Sequence, residues 1–185
     1  EEDCRLVIMN QECGHPYRGI LYGGFIAVRD GVRVIEYNAR FGDPEALNVL
    51  PILASDFVEL CQSMVEGTFN PAFVRFAHQA TVCKYITPKS YPDAKSEKGH
   101  EVIFPKCTKT GRIYYGDIAQ DPSGKLLLGG SRSSGIVGIG SSLEEAEEIA
   151  QKMCSAVKGP VRFRKDIGTE ELVQQRIDMM KKLRG

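Results

Sequence analysis

Residues Gly19 to Val28 and Val32 to Ala39 are rich in β-formers, and Arg29-Asp30-Gly31 between them carries an Asp-Gly pair. Asp-Gly between apolar runs is a strong hairpin signal, so two adjacent antiparallel strands are predicted. From Ser55 the period changes. Phe57, Leu60, Cys61, Met64 and Val65 recur at i, i+3, i+4, i+7 and i+8, which predicts a helix covering a core, with Gly67 placed to end it. The turn formers in Gly67-Thr68-Phe69-Asn70-Pro71 mark a boundary, dividing the chain into residues 1–70 and 71–185.

The second part reads mostly as sheet. Val74 to Ile86 is apolar and β-branched enough for a strand, and Pro88 to Gly99 is a polar, Pro-containing loop leading to a short strand near Val102 to Phe104. Arg112 to Ala119 and Lys125 to Leu128 form a hairpin-like pair about Asp121-Pro122-Ser123-Gly124. Gly129, Gly130, Gly135, Gly138 and Gly140 punctuate a segment that Ile136, Val137 and Ile139 keep strand-like. A phosphate loop is disfavoured there. The Gly-x-Gly-x-x-Gly order is missing, and Glu144, Glu145, Glu147 and Glu148 crowd the first turns of the following helix. Those acids suit capping: Ser142 with Glu145 fits a Ser-x-x-Glu box, and Ala146, Ile149, Ala150, Met153 and Val157 form a buried stripe before Gly159-Pro160. A last helix runs from Thr169, as N-cap, to Arg184, with Glu170 and Glu171 at its start and Lys181, Lys182 and Arg184 at its end. Arg162 to Gly168 gathers cations around Asp166, a pattern that also suits a solvated turn.

Chemistry concentrates on the second strand. Side chains two apart on a strand point the same way, so Glu36, Asn38 and Arg40 share a face while Ile35, Tyr37 and Ala39 form a core-like one. Alternate Cα atoms lie about 6.7 Å apart. A carboxylate and an amide oxygen at that spacing can converge on one hard cation, magnesium or manganese fitting best. Beyond Arg40, Gly42 permits a tight turn, Asp43 can cap a helix, Pro44 suits its first position and Glu45 its first turn. Glu-x-Asn alone also fits a half-exposed strand with a polar outer face.

Bulk properties narrow the partners. With 185 residues, 42% hydrophobic and 26% charged, the chain can bury one good core or two small ones. Lys plus Arg equals Asp plus Glu at 24 each, so global charge points to neither nucleic acid nor an anionic membrane. Six scattered cysteines without a Cys-x-x-Cys pair, and three histidines, read as reduced packing thiols rather than a zinc site. No apolar run is long enough to cross a bilayer, and a cytoplasmic location is the expectation. The chain starts without Met, and Cys4 to Cys13 reads as the tail of a helix cut from its start, so the chain is expected to be a fragment.

These residues resemble a known family of ATP-grasp enzymes, the phosphoribosylamine–glycine ligases of purine biosynthesis. Ile35 to Glu45 resembles the family signature Glu-x-Asn-x-Arg-Phe-Gly-Asp-Pro-Glu, and Tyr17 to Gly24 the strand that enters its site. Tyr91-Pro92 with Lys98-Gly99, Gly129 to Gly140, and Arg164 to Gly168 resemble further family segments, so the likeness spans nearly the whole chain. It implies an α+β fold: residues 1–70 as the metal-binding part of the ATP-grasp C-lobe, with antiparallel sheet and helices, and residues 71–185 as a mixed-sheet carboxy-terminal closing domain. The implied reaction joins glycine to 5-phosphoribosylamine with conversion of ATP to ADP and phosphate, through glycyl phosphate. Glu36 and Asn38 would hold Mg2+ or Mn2+, Arg40 would be catalytic and substrate-binding, and Gly42 and Asp43 would line the substrate site. The remaining partner implied is the amino-terminal portion of the same enzyme, without which the chain is expected to be inactive. The sequence departs from the family at Ser90 and at Ser131-Arg132-Ser133, and Gly23 to Ala27 offers no carboxylate, which leaves the metal held mainly by phosphates. Other readings are a different ATP-grasp carboxylate-amine ligase, or a non-catalytic β-rich binding module with a cation site.

Overall fold

A computed structural model describes residues 17–93 and 95–185. The segment Cys4 to Cys13, read above as a helix tail, lies outside the described residues. Contacts divide the described chain into two compact units, one of Gln79–Gln175 and one of the residues up to His78 together with Arg176–Gly185. Each unit combines helices with antiparallel strand pairs, an α+β architecture.

The first unit opens with a hairpin of β1 (Tyr22–Val28) and β2 (Gly31–Asn38), whose two-residue turn hands over to Gly31 at φ 141°. The register pairs Gly24 with Glu36 but Phe25 with Val34, leaving Ile35 as a bulge. A bulge moves every side chain before it to the other face, so Val34 joins Tyr37, and Phe25 packs edge-on against Tyr37 with ring centroids 6.0 Å apart. The face expected to be core-like is open instead: Ile35 is 65% exposed and Tyr37 58%. Two strands alone offer nothing to cover such a face.

After the hairpin, α1 (Glu45–Val49) begins one residue later than expected. Asp43 is not its cap; Pro44 holds that position, and no side chain caps the helix. Proline has no N–H and no side-chain acceptor, so backbone carbonyls alone close this helix start, Gly42 O accepting from Ala46 N at 3.0 Å and Pro44 O from Leu47 N at 2.8 Å. A short 3-10 turn over Leu50–Ile52 follows. By contrast, α2 (Phe57–Glu66) is closed at both ends: the Asp56 carboxylate accepts from the N–H groups of Val58 and Glu59 at 2.8 and 3.0 Å. At the other end Gly67, at φ 74°, donates to Met64 O and Thr68 to Ser63 O, a Schellman closure that only a left-handed residue permits. Phe57, Leu60 and Met64 of α2 line an apolar recess of about 80 Å3 with Ile20, Phe41 and Phe76, whereas Val65, expected in the stripe, points to solvent.

The second unit is better filled. Its sheet has the order β4-β7-β3-β8, from β3 (Ala80–Pro88), β4 (Gly111–Tyr115), β7 (Ser134–Gly140) and β8 (Val161–Arg162), and every pairing is antiparallel. β5 (Ile118–Gln120) and β6 (Leu126–Leu128) pair about the expected Asp121 to Gly124 turn. The Asp121 carboxylate accepts from Ser123 Oγ and from the N–H groups of Ser123 and Lys125. The expected strand Arg112 to Ala119 is split, because Ile118 N folds back to Gly116 O at 2.9 Å and makes a tight turn at Asp117. β3 starts at Ala80 rather than Val74, since Pro71–Phe73 forms a 3-10 turn capped by Asn70. Val102 to Phe104 makes isolated bridges only, at Glu101 and Ile103.

β7 is buried along its whole length, and α3 (Leu143–Ser155) lies across it and β3. The glycines explain the closeness: a Cβ on Gly138 would run into the Ala146 carbonyl and stand 2.7 Å from Ala150 N. The glycine-rich strand is therefore a packing surface. Ile86, Ile136, Met153 and Cys154 form the main cluster, and Val82, Ala146 and Ala150 a second. Burial pushes the Cys154 thiol up to about 12, which keeps it a neutral packing group. α3 stops at Ser155, short of Val157. α4 (Glu170–Arg184) starts where expected, Thr169 Oγ1 accepting from Leu172 N at 3.3 Å. No described helix is long and apolar enough to cross a membrane.

Candidate functional site

The bulge at Ile35 sets the aim of the residues after it. Glu36 and Asn38 lie opposite Gly24 and Tyr22, so the four share one face of the hairpin. Gly24 adds no side chain to that face, and a Cβ there would make ordinary contact with Glu36, 3.7 Å from its Cγ. Asn38 Nδ2 donates to Glu36 Oε1 at 3.0 Å, and Arg40 donates to Asn38 Oδ1 at 3.0 Å. Arg40 lies two residues past the end of β2, where the chain bends, and its second guanidinium nitrogen donates to Phe41 O at 2.8 Å. Glu36, Asn38 and Arg40 thus form a continuous hydrogen-bonded line along an exposed strand end.

Gly42 carries the line into a buried turn. A Cβ there would collide with the Glu45 side chain, which folds back over it, and Ala46 N donates to Gly42 O at 3.0 Å. Sequence reading gave Glu45 a role in the helix dipole alone. Its carboxylate does more: Oε1 accepts from the Tyr22 hydroxyl at 2.9 Å, while Oε2 is buried without a hydrogen-bond partner. Asp43 is exposed beside it, joined to Pro44 by a cis peptide.

The donor set fits a hard divalent cation of low protein coordination. On one face, Glu36 offers exposed carboxylate oxygens and the half-buried Asn38 one amide oxygen, which Arg40 occupies. Among the described residues no three His, Cys, Asp or Glu side chains gather into a metal cage. Magnesium is commonly held in this way, by one or two protein oxygens plus phosphates and water. A cation between Glu36 and Asn38 takes the place of the amide hydrogens, so binding would turn the Asn38 amide and break both its bond to Glu36 and the one it accepts from Arg40.

Elsewhere, Arg164 and Asp166 form a forked pair; Arg164 holds the Asp166 carboxyl below the ordinary carboxylate range. Sequence reading passed over Lys84, which is 1% exposed in the middle of β3. The signal was a lone cation in the β-branched and apolar run Thr81 to Ile86. The cysteines among the described residues, Cys61, Cys83, Cys107 and Cys154, are unbridged.

Two family models match the chain. Residues 5–46, which contain the whole Glu36 to Glu45 line, match the ATP-grasp (A) domain of phosphoribosylglycinamide synthetase. Residues 81–170 match the C domain of the same synthetase. Among curated relatives, a phosphoribosylamine–glycine ligase of Methanococcus maripaludis is 46% identical over 176 residues, covering 95% of this chain and 39% of that protein. One of Methanocorpusculum labreanum is 50% identical over 172 residues, with 93% and 39% covered. The crystal structure of phosphoribosylamine–glycine ligase from Thermotoga maritima superposes with a TM-score of 0.70 at 29% identity, over 84% of this chain and 38% of that one. The chain spans about two fifths of the length of these relatives.

Proposed function

The chain belongs to the phosphoribosylglycinamide synthetase family, and from that premise we propose that it supplies the metal-binding edge and the closing domain of a ligase. The reaction joins glycine to 5-phosphoribosylamine, with ATP converted to ADP and phosphate. Residues 1–70 serve as the metal-binding part of the ATP-grasp lobe and residues 71–185 as the closing domain. The part of the relatives that this chain does not span supplies the rest of the nucleotide site.

The observation that carries this reading is the line Glu36–Asn38–Arg40, hydrogen-bonded in series and running into the buried turn at Gly42. Glu36 and Asn38 would hold Mg2+ or Mn2+, which would supply neutralisation of phosphate charge during phosphoryl transfer to the glycine carboxylate. Arg40 offers a planar, permanently charged fork to the phosphoryl oxygens, and its bond to the Phe41 carbonyl, which does not depend on the metal-binding amide, holds that fork at the strand end. Gly42 and Asp43 line the substrate side of the turn, where the absence of a side chain on Gly42 lets Glu45 fold in. The amine of phosphoribosylamine then displaces phosphate from the glycyl phosphate, and the product carries the new amide bond.

Glu36→Gln in the complete enzyme, with the part of the relatives that this chain does not span, tests the assignment. Turnover is expected to fall by about a hundredfold or more, the scale of losing a preorganised electrostatic group, with a shift in magnesium dependence and no change in melting temperature. Unchanged activity at limiting magnesium removes Glu36 from the site.

A further inference from the structure

Lys84 is a charged group in the centre of a packed sheet, and the strand-end site has no use for it. Its side chain is fully buried, and all three ammonium bonds are spent on oxygens, two from one helix and one from a distant loop of the second unit. Nζ donates to Glu147 Oε1 at 2.5 Å, to Gln151 Oε1 at 2.8 Å and to the backbone carbonyl of Lys165 at 2.7 Å. Glu147 and Gln151 lie one turn apart on α3, so together they form one wall of the ammonium's cage. The third ligand is of another kind. Lys165 belongs to the irregular segment between β8 and α4, more than eighty residues away in sequence.

A purely structural ion pair between β3 and α3 would need only Glu147 and Gln151. Burying a lysine is costly, and the apolar faces of β3 and α3 already meet at Val82, Ala146 and Ala150. What the ammonium adds is a fixed point for backbone that no strand or helix holds. Further anchors flank it: Ile167 packs on the Val82–Ala146–Ala150 cluster, and Gly168, at φ 82°, lies so close to Val82 that a Cβ would stand 2.8 Å from its methyl groups. Thr169 N and Oγ1 both donate to Asp166 O, at 3.3 and 3.1 Å. Between these points the chain presents Arg164, paired with Asp166, and Lys165 to solvent.

We propose that Lys84 is a positioning residue: neutralised by Glu147, its ammonium clasps the Lys165 carbonyl and fixes the Arg164 to Gly168 segment against the sheet, in the geometry the closing domain needs for ligation. The last step rests on the ligase reading; the clasp itself does not. Lys84 touches no substrate in this proposal and acts only through the segment it holds.

The test uses the complete ligase, this chain together with the part of the relatives that it does not span, in two variants, Lys84→Met and Lys84→Met/Glu147→Gln. The double variant is included because methionine alone leaves the Glu147 carboxylate facing an apolar wall, and that variant can fail to fold. Hydrogen exchange is read amide by amide, with steady-state ligation kinetics and melting temperature alongside. Losing a bond to a charged group corresponds to roughly 10- to 100-fold in a local opening equilibrium. Amides of residues 165–169 in the double variant should exchange faster by that factor, while β3 and β7 keep their protection. kcat/KM should fall about tenfold or more, with melting within a few degrees of the parent.

Unchanged exchange at 165–169 overturns the clasp. Equal loss of protection across β3, β7 and α3 also overturns it, leaving a core ion pair. A loosened segment with unchanged kcat/KM overturns the positioning role. Absence of ligation by the parent ligase, with the part of the relatives that this chain does not span restored, defeats the ligase reading instead, and the exchange data then still decide the clasp.

Discussion

The two units of this chain bury their apolar residues very differently. In Gln79–Gln175 the sheet is covered by α3, and Ile86, Ile136 and Val137 are completely removed from water. In the first unit Leu60 is the one large apolar side chain among the described residues that reaches the buried class, while Phe25, Ile26, Val32, Val34, Ile35 and Tyr37 of the hairpin stand about half exposed or more. The polar site residues sit on the poorly covered element and the rigid packing on the other. The open hairpin face belongs to a chain that spans about two fifths of its relatives' length, so its exposure describes this stretch alone.

The largest test compares two isoleucines in the 185-residue chain. Ile136→Ala removes a fully buried side chain packed against Ile86, Met153 and Cys154, and is expected to cost about 2–5 kcal/mol in urea unfolding of the second unit. Ile35→Ala, at the hairpin bulge and 65% exposed, is expected to stay within about 0.5 kcal/mol. Equal costs would mean that the hairpin face is covered in solution, and the contrast between the units would fail.

A smaller test concerns helix ends. Asp56→Ala removes an acceptor that holds two N–H groups of α2, and Ser142→Ala removes one bond, from Glu145 N at 3.1 Å, at the start of α3. Each cap is worth about 1 kcal/mol. The consequences should differ. α2 buries only Leu60, so Asp56→Ala should speed amide exchange over the first turn of α2 well beyond what Ser142→Ala does in α3, which buries Ala146, Ala150, Met153 and Cys154. Equal fraying in both helices would show that burial does not set their relative stability.

Local signals in the sequence located most of these elements. Asp30-Gly31, Gly67, Ser142 and Thr169 act through bonds to near neighbours, and the hairpin, the end of α2 and the starts of α3 and α4 fall where they indicate. The Glu36–Asn38 spacing was legible for the same reason, since two residues on one strand need only the pleat to meet. Long-range features were not. Nothing in Val34-Ile35-Glu36 announces a bulge, because it depends on the partner strand's Gly24 and Phe25. Asp43 reads as a cap and is not one, because the turn at Gly42 passes the helix start to Pro44. Lys84 finds its oxygens 63, 67 and 81 residues away, beyond any pattern of period 2 or 3.6.

The smallest expected effect is on a single carboxylate, and it again separates the units. α1 has no side-chain cap, whereas the entry to α3 is held twice: by Ser142 and, behind it, by Glu145, whose Oε2 accepts from Ser141 Oγ at 2.6 Å and Ser141 N at 2.7 Å. The expected capping box would have turned Glu145 back to the N–H of Ser142; the bond to Ser141 extends the cap one residue outward. The Ser141 hydroxyl, and after it the Ser141 N–H, hold the Glu145 carboxyl below its ordinary range. A carboxyl depressed in the folded state binds fewer protons there than in the unfolded chain. Its contribution is therefore complete above the unfolded value, about 4.3, and is lost as pH falls through the lower folded value. Ser141→Ala removes the larger cause and keeps the backbone bond, so the Glu145 midpoint in a carboxyl-detected NMR titration should rise toward the ordinary range without reaching it. The difference in stability between the parent and Ser141→Ala should be present at neutral pH and shrink as the solution is acidified below that window. An unmoved midpoint would show that the Ser141 hydroxyl does not hold Glu145 in solution, leaving the start of α3 with the single Ser142 cap.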